Sequence, residues 1–135
     1  MSIINRRLLL THRPEGMVKR EDFDLVRVPI GELNDGEILV RVLYISMDPT
    51  NRVWMRDIPQ YMPSVSIGEV MRAGGIGRVV KSRSAQFNEG DLVQGFVGWQ
   101  DYFVFHESAA IPTCDCPQTP ACPCRGCSAP AAPAA

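Results

Sequence analysis

Apolar positions in the first 111 residues fall into short runs broken by Gly, Pro, Asn and Asp. Runs at residues 6–11, 22–29, 37–46, 70–82, 92–97 and 101–105 predict strands. The run at 37–46 is the most regular. Ile38, Val40, Val42 and Tyr44 recur with period two, and Leu39, Leu43 and Ile45 make the opposite face largely apolar. That pattern predicts a strand covered on both faces. Asn34-Asp35-Gly36 before it supplies a turn, with Gly36 free to take a positive φ. Asp48-Pro49 after it predicts a helix start, with Asp48 as cap and Pro49 at the first position. Residues 50–55 then make one or two helical turns, 58–63 a loop and 88–91 a turn. Strands at this spacing, with no long helix among them, predict a mainly β fold, a small barrel or sandwich with short helical turns. No internal repeat interrupts the series.

Composition changes this picture at one point. Residues 1–111 contain no cysteine, whereas all five cysteines lie between Cys114 and Cys127, in a Pro- and Ala-rich stretch. The expected division is a domain at 1–111 and a tail at 112–135. The cysteine-free body, and an N-terminus without a small-residue cleavage site, suit a cytoplasmic protein. No apolar stretch reaches the ~18 residues of a membrane span. Lys plus Arg is 14 and Asp plus Glu is 15, a net charge of −1. That balance gives no electrostatic basis for binding nucleic acid or an anionic membrane.

Several groups invite a chemical reading. Gly74-Gly75-Ile76-Gly77 is not a dinucleotide fingerprint, because the third glycine and the following helix are missing. A bulge or tight turn is expected there. His12 and His106 lack partners at metal-ligand spacing, and Asp48, Asp57, Glu69 and Asp101 are too scattered to pair. The stretch from Asp48 to Tyr61 gathers Thr50, Asn51, Arg52, Trp54 and Arg56 just after the most regular strand. Loops at strand ends are where rigid scaffolds place chemistry. The same stretch also reads as a helical turn with Trp54 and Met55 in the core, and the residues alone do not separate the two. Trp99, in a late hairpin, is expected as core or cleft wall.

Residues 44–55 (YISMDPTNRVWM), 61–82 (YMPSVSIGEVMRAGGIGRVVKS) and 87–105 (FNEGDLVQGFVGWQDYFVF) together resemble a known family. They are similar to the N-terminal domain of zinc-independent medium-chain dehydrogenases/reductases, in the prostaglandin reductase, leukotriene hydroxydehydrogenase, curcumin reductase and alkenal double-bond reductase group. The resemblance implies a GroES-like β-barrel that packs against a Rossmann domain, with NADP(H) between them. It implies hydride transfer to the activated C=C bond of an α,β-unsaturated ketone or aldehyde. The family's Asp-Pro pair corresponds to Asp48 and Pro49, and its usual Tyr-Met-Arg continuation is Thr50, Asn51 and Arg52 here. A family tyrosine near substrate corresponds to Tyr61, the expected catalytic donor. Asp48, Pro49, Asn51, Arg52 and Trp99 are the expected cleft residues. The zinc-dependent relatives carry a Cys near position 48 and a Gly-His-Glu, where this chain has Asp48 and Ile67-Gly68-Glu69.

The resemblance stops near residue 111, before any Rossmann domain. This chain is therefore expected to be a truncated reductase, inactive alone and without tightly bound NADP(H). Its uncovered barrel face is expected to drive self-association or homodimer formation. The tail spaces its cysteines C-x-C-x5-C-x-C-x2-C. Three readings stand for it: an out-of-frame translation of a Leu-rich segment, which is favoured, a disordered tail, or a zinc or thiolate site at Cys114, Cys116, Cys122, Cys124 and Cys127. Under the last, the chain is a metal-binding module; a further alternative is a GroES-like interaction module.

Overall fold

The computed structural model describes residues 2–113. It contains seven strands and one α-helix: β1 (Ile4–Leu10), β2 (Phe23–Pro29), β3 (Glu37–Ile45), α1 (Pro49–Trp54), β4 (Gly74–Ser82), β5 (Leu92–Phe96), β6 (Tyr102–His106) and β7 (Ile111–Thr113). β1 and β2 form an antiparallel pair, and the other five strands make one antiparallel sheet in the order β6-β3-β4-β5-β7. Among the described residues, no helix is long and apolar enough to cross a membrane.

The five-stranded sheet curls into a half-barrel. Phe105 on β6 closes on Gly95 of β5, although β3 and β4 lie between those strands; a Cβ on Gly95 would sit 2.8 Å from the Phe105 ring. The concave side holds one core of Ile38, Val40, Val79, Phe87, Val93, Val97, Phe105 and Ala110. A second core, of Leu10, Trp54, Met55, Val65 and Met71, lies between β1 and α1, with Phe23, Met62 and Trp99 packed against it.

The strand pair is tied to the sheet mainly by backbone. Leu8 N donates to Trp99 O and Met71 N to Leu8 O, at 2.9 and 3.0 Å. Buried Asn5 completes the joint. Its Nδ2 donates to Gln100 Oε1 and Tyr102 O, and its Oδ1 accepts from Tyr102 N. A buried amide with its groups satisfied in this way fixes register as well as position.

The glycine group follows the bulge expectation. β3 slips register against β4 between Val42 and Tyr44, opposite Gly77 and Ile76. A Cβ on Gly75 would overlap the Tyr44 carbonyl, and one on Gly77 would overlap the Val40 side chain and the Arg41 carbonyl. Only glycine lets the two backbones approach this closely. Gly36 takes φ 81° at the turn into β3, as its neighbours predicted.

The structure differs from the sequence reading at four places. Trp99 lies in no hairpin, because β5 pairs with β4 and β7 and β6 pairs with β3, so the segment carrying Trp99 links two strands that are not neighbours. Only Ile38, Leu39 and Val40 of β3 are buried on both faces; Leu43 and Tyr44, beyond the first slip, are exposed. Residues 70–73 stay outside the ladder, which begins at Gly74, and Val70 makes an isolated bridge to Leu9. β7 was not anticipated, and it carries the sheet through Pro112 and Thr113, past the boundary drawn at 111. A proline is tolerated there because β7 is an edge strand. The five cysteines and the readings attached to them lie outside the described residues.

Candidate functional site

The site begins where β3 ends. Asp48 is extended, and its Oδ1 accepts from Thr50 N at 2.9 Å and from Thr50 Oγ1 at 2.7 Å. Those two bonds stabilise the charged carboxylate and hold its pKa below the usual value. Pro49, whose missing N–H costs nothing at a helix start, sets the first turn. Thr50 completes this cap.

Asn51 and Arg52 turn to the fold. Asn51 is buried and its Nδ2 donates to Ser46 O. Arg52 Nη2 donates to the carbonyls of Pro14 and Gly16, tying α1 to the loop after β1. Trp99, expected at the cleft, packs against the second core with its ring 5.2 Å from Phe23.

Tyr61 stands apart from these. It is 72% exposed, yet its hydroxyl has a defined partner: Trp54 Nε1 donates to Tyr61 Oη at 3.0 Å. The loop that carries Tyr61 is pinned on either side. Gln60 Nε2 donates to Val53 O, Arg56 O and Ser64 Oγ, while Ser64 Oγ donates to Arg56 O. Arg72 Nη1 donates to Pro63 O at 2.7 Å, and the Arg72 guanidinium lies 5.5 Å from the centroid of the Trp54 ring.

Trp54 leads on to a groove. Its ring meets Phe96 edge-on at 6.0 Å. Phe96 lines an apolar groove of about 700 Å³ with Tyr44, Ile45, Gly74, Gly75, Ala109 and Ile111. No charged side chain lines this groove, and Gly74 leaves its floor open, since a Cβ there would meet nothing within 4 Å. Phe96 also lines a second cavity of about 520 Å³, whose wall includes Arg7, Glu69, Arg72 and Gln100. Among the described residues, no three His, Cys, Asp or Glu side chains gather as a metal site.

Phe96, Arg72 and the groove were not singled out from the sequence. The usable sign was an apolar residue, Phe96, at the end of β5 between two buried valines, Val93 within the strand and Val97 just after it. Arg72 carried no sign at all, because its partners Trp54 and Pro63 are distant in sequence.

Comparison with known proteins bears on this geometry. A family model described as the N-terminal domain of oxidoreductase matches residues 6–112. The chain is 40% identical over 116 residues to the NADPH-dependent curcumin reductase of Escherichia coli (strain K12), covering 86% of this chain and 34% of that protein. It is 31% identical over 106 residues to the NADP(+)-dependent 2-alkenal reductase of Nicotiana tabacum, covering 76% of this chain and 31% of that one. Among solved structures, CurA from Vibrio vulnificus superposes with a TM-score of 0.76 at 35% identity, over 80% of this chain and 32% of that one. The same protein in complex with NADPH gives 0.74, at 35% identity over 79% of this chain and 32% of that one. The chain thus spans about a third of the length of these relatives.

Proposed function

This chain belongs to the family of oxidoreductase N-terminal domains, and on that premise we propose that it is the substrate-side part of an NADPH-dependent reductase of α,β-unsaturated ketones and aldehydes. In that reaction hydride adds to the β-carbon, the C=C electron pair moves toward the carbonyl, and negative charge develops on oxygen. A proton then reaches the α-carbon. Tyr61 is assigned the donor to the developing oxyanion. The observation that carries this is the hydroxyl itself: it accepts from the Trp54 indole, so its own hydrogen remains to donate outward.

The apolar groove fits the nicotinamide end of NADPH, because a flat uncharged ring suits a floor of glycine walled by Phe96 and Ile111. It does not fit the phosphates, since no Lys or Arg lines it. When bound, the cofactor supplies the hydride. Residues of this chain wall off water on one side of the cleft and hold the hydrogen-bond donor.

Two measurements test the reading. Isothermal calorimetry of the full chain with NADPH is expected to show no micromolar binding, and micromolar binding would contradict the assignment of the phosphate contacts to another part of the protein. An NMR titration with benzylideneacetone, a simple aryl enone, is expected to move the Tyr61 and Phe96 resonances, with Tyr61→Phe weakening the effect. Perturbation confined to other residues would remove the groove from the reading.

The same groove carries a second proposal, self-association. Tyr44, Phe96 and Ile111, which line it, are each at least half exposed, and such side chains on one face favour burial against another surface.

A further inference from the structure

We propose that Trp54 is the positioning residue for Tyr61, fixing its phenol as a hydrogen-bond donor toward the substrate. The inference rests on the assignment of Tyr61 made above and deepens it. A phenol has one hydrogen and two acceptor lone pairs, and a solvent-exposed one turns its O–H freely. The indole has a donor and no acceptor. An indole N–H held against Oη therefore admits one arrangement only, in which Tyr61 accepts from Trp54 and its own hydrogen points elsewhere.

Trp54 is suited to this role because it is itself fixed. Its side chain is 6% exposed within the second core. Phe96 meets it edge-on, and the Arg72 guanidinium lies over its face. The same Arg72 donates to Pro63 O, so one side chain braces both the indole and the loop that carries Tyr61. Without the indole, Tyr61 would be an exposed residue on a loop, with nothing else bonded to its hydroxyl among the described contacts. Ordering the hydroxyl in advance removes an entropic cost that would otherwise be met on binding.

The test uses the full chain with its two tryptophans, Trp54 and Trp99, labelled with ¹⁵N. Tyr61→Phe removes the acceptor from an exposed position and leaves the core intact. It is expected to move the Trp54 indole N–H resonance upfield and leave that of Trp99 in place. A Trp54 resonance that does not move overturns the proposal. Benzothienylalanine placed at position 54 keeps the bicyclic shape and lacks the N–H, so it deletes the bond without opening a cavity. It is expected to weaken benzylideneacetone binding by about fivefold, the size of one neutral hydrogen bond, as Tyr61→Phe does. The two changes together are expected to weaken it no further than either alone. If Tyr61→Phe weakens binding and the isostere at 54 leaves it unchanged, the positioning role is wrong and the assignment of Tyr61 stands. If Tyr61→Phe itself has no effect on binding, the assignment fails and the positioning role with it.

Discussion

Asp48 shows how one side chain turns a strand into a helix and is readable at both levels. The pair Asp-Pro named a helix start, and the two bonds from Thr50 to one carboxylate oxygen complete it. Because those bonds lower the Asp48 pKa in the folded state, its contribution to stability is present above the ordinary carboxylate value of ~3.9. It is lost as pH falls through the lower folded value. Asn caps as well as Asp and does not ionise. Thermal melts from pH 7 to pH 2 are therefore expected to show a steeper acid decline for the native chain than for Asp48→Asn, whereas Asp48→Ala lowers the melting temperature by a few degrees at neutral pH. Equal acid slopes for the native chain and Asp48→Asn would remove the cap from the account. Tyr61 is the opposite case. Its hydrogen bond to Trp54 spans a loop, and no local pattern in the sequence marks it.

At the level of elements, the glycines of β4 carry distinct tasks. Gly77 lies where a Cβ would meet both the Val40 side chain and the Arg41 carbonyl, and the carbonyl belongs to the backbone of β3 and cannot turn aside. Gly77→Ala is expected to cost about 1–3 kcal/mol in urea unfolding. Gly74→Ala, which meets open space, is expected to stay within about 0.5 kcal/mol. Near-equal costs would mean that the close approach of β3 and β4 is not what selects glycine. The strands themselves were legible because their apolar positions keep period two and their turns carry Gly, Asn and Asp. Two features were not. The later half of β3 reads as buried because Leu43 and Tyr44 are apolar, but β6 pairs with β3 only from Glu37 to Arg41, and the two side chains beyond that stretch are exposed. β7 is three residues long and contains a proline, so propensity points away from a strand that pairing with β5 creates.

At the scale of the whole molecule, the described residues form two cores with different duties. The sheet core closes the half-barrel, and the core beneath α1 supports Trp54 and through it Tyr61. Leu10, fully buried, belongs to the second. Beyond them lies the face of Tyr44, Phe96 and Ile111, each at least half exposed among the described residues. Sedimentation velocity is expected to show concentration-dependent association of the chain, and Tyr44→Lys with Ile111→Lys to shift it toward monomer. Association that is indifferent to both charges would place the contact elsewhere. The family likeness was readable from three segments taken together: the capped helix after β3, the glycine group of β4, and the link from β5 to β6.

The central claim is that this domain presents Tyr61 to the carbonyl oxygen of an enone during NADPH-dependent reduction. The most direct measurement joins residues 1–112 to the remainder of the Escherichia coli curcumin reductase, in place of its own first third, and follows NADPH oxidation with benzylideneacetone. The account predicts turnover by the chimera and a loss of about a hundredfold in kcat for Tyr61→Phe, the usual effect of deleting one oxyanion donor. A chimera that turns over equally fast with phenylalanine at position 61 would contradict it.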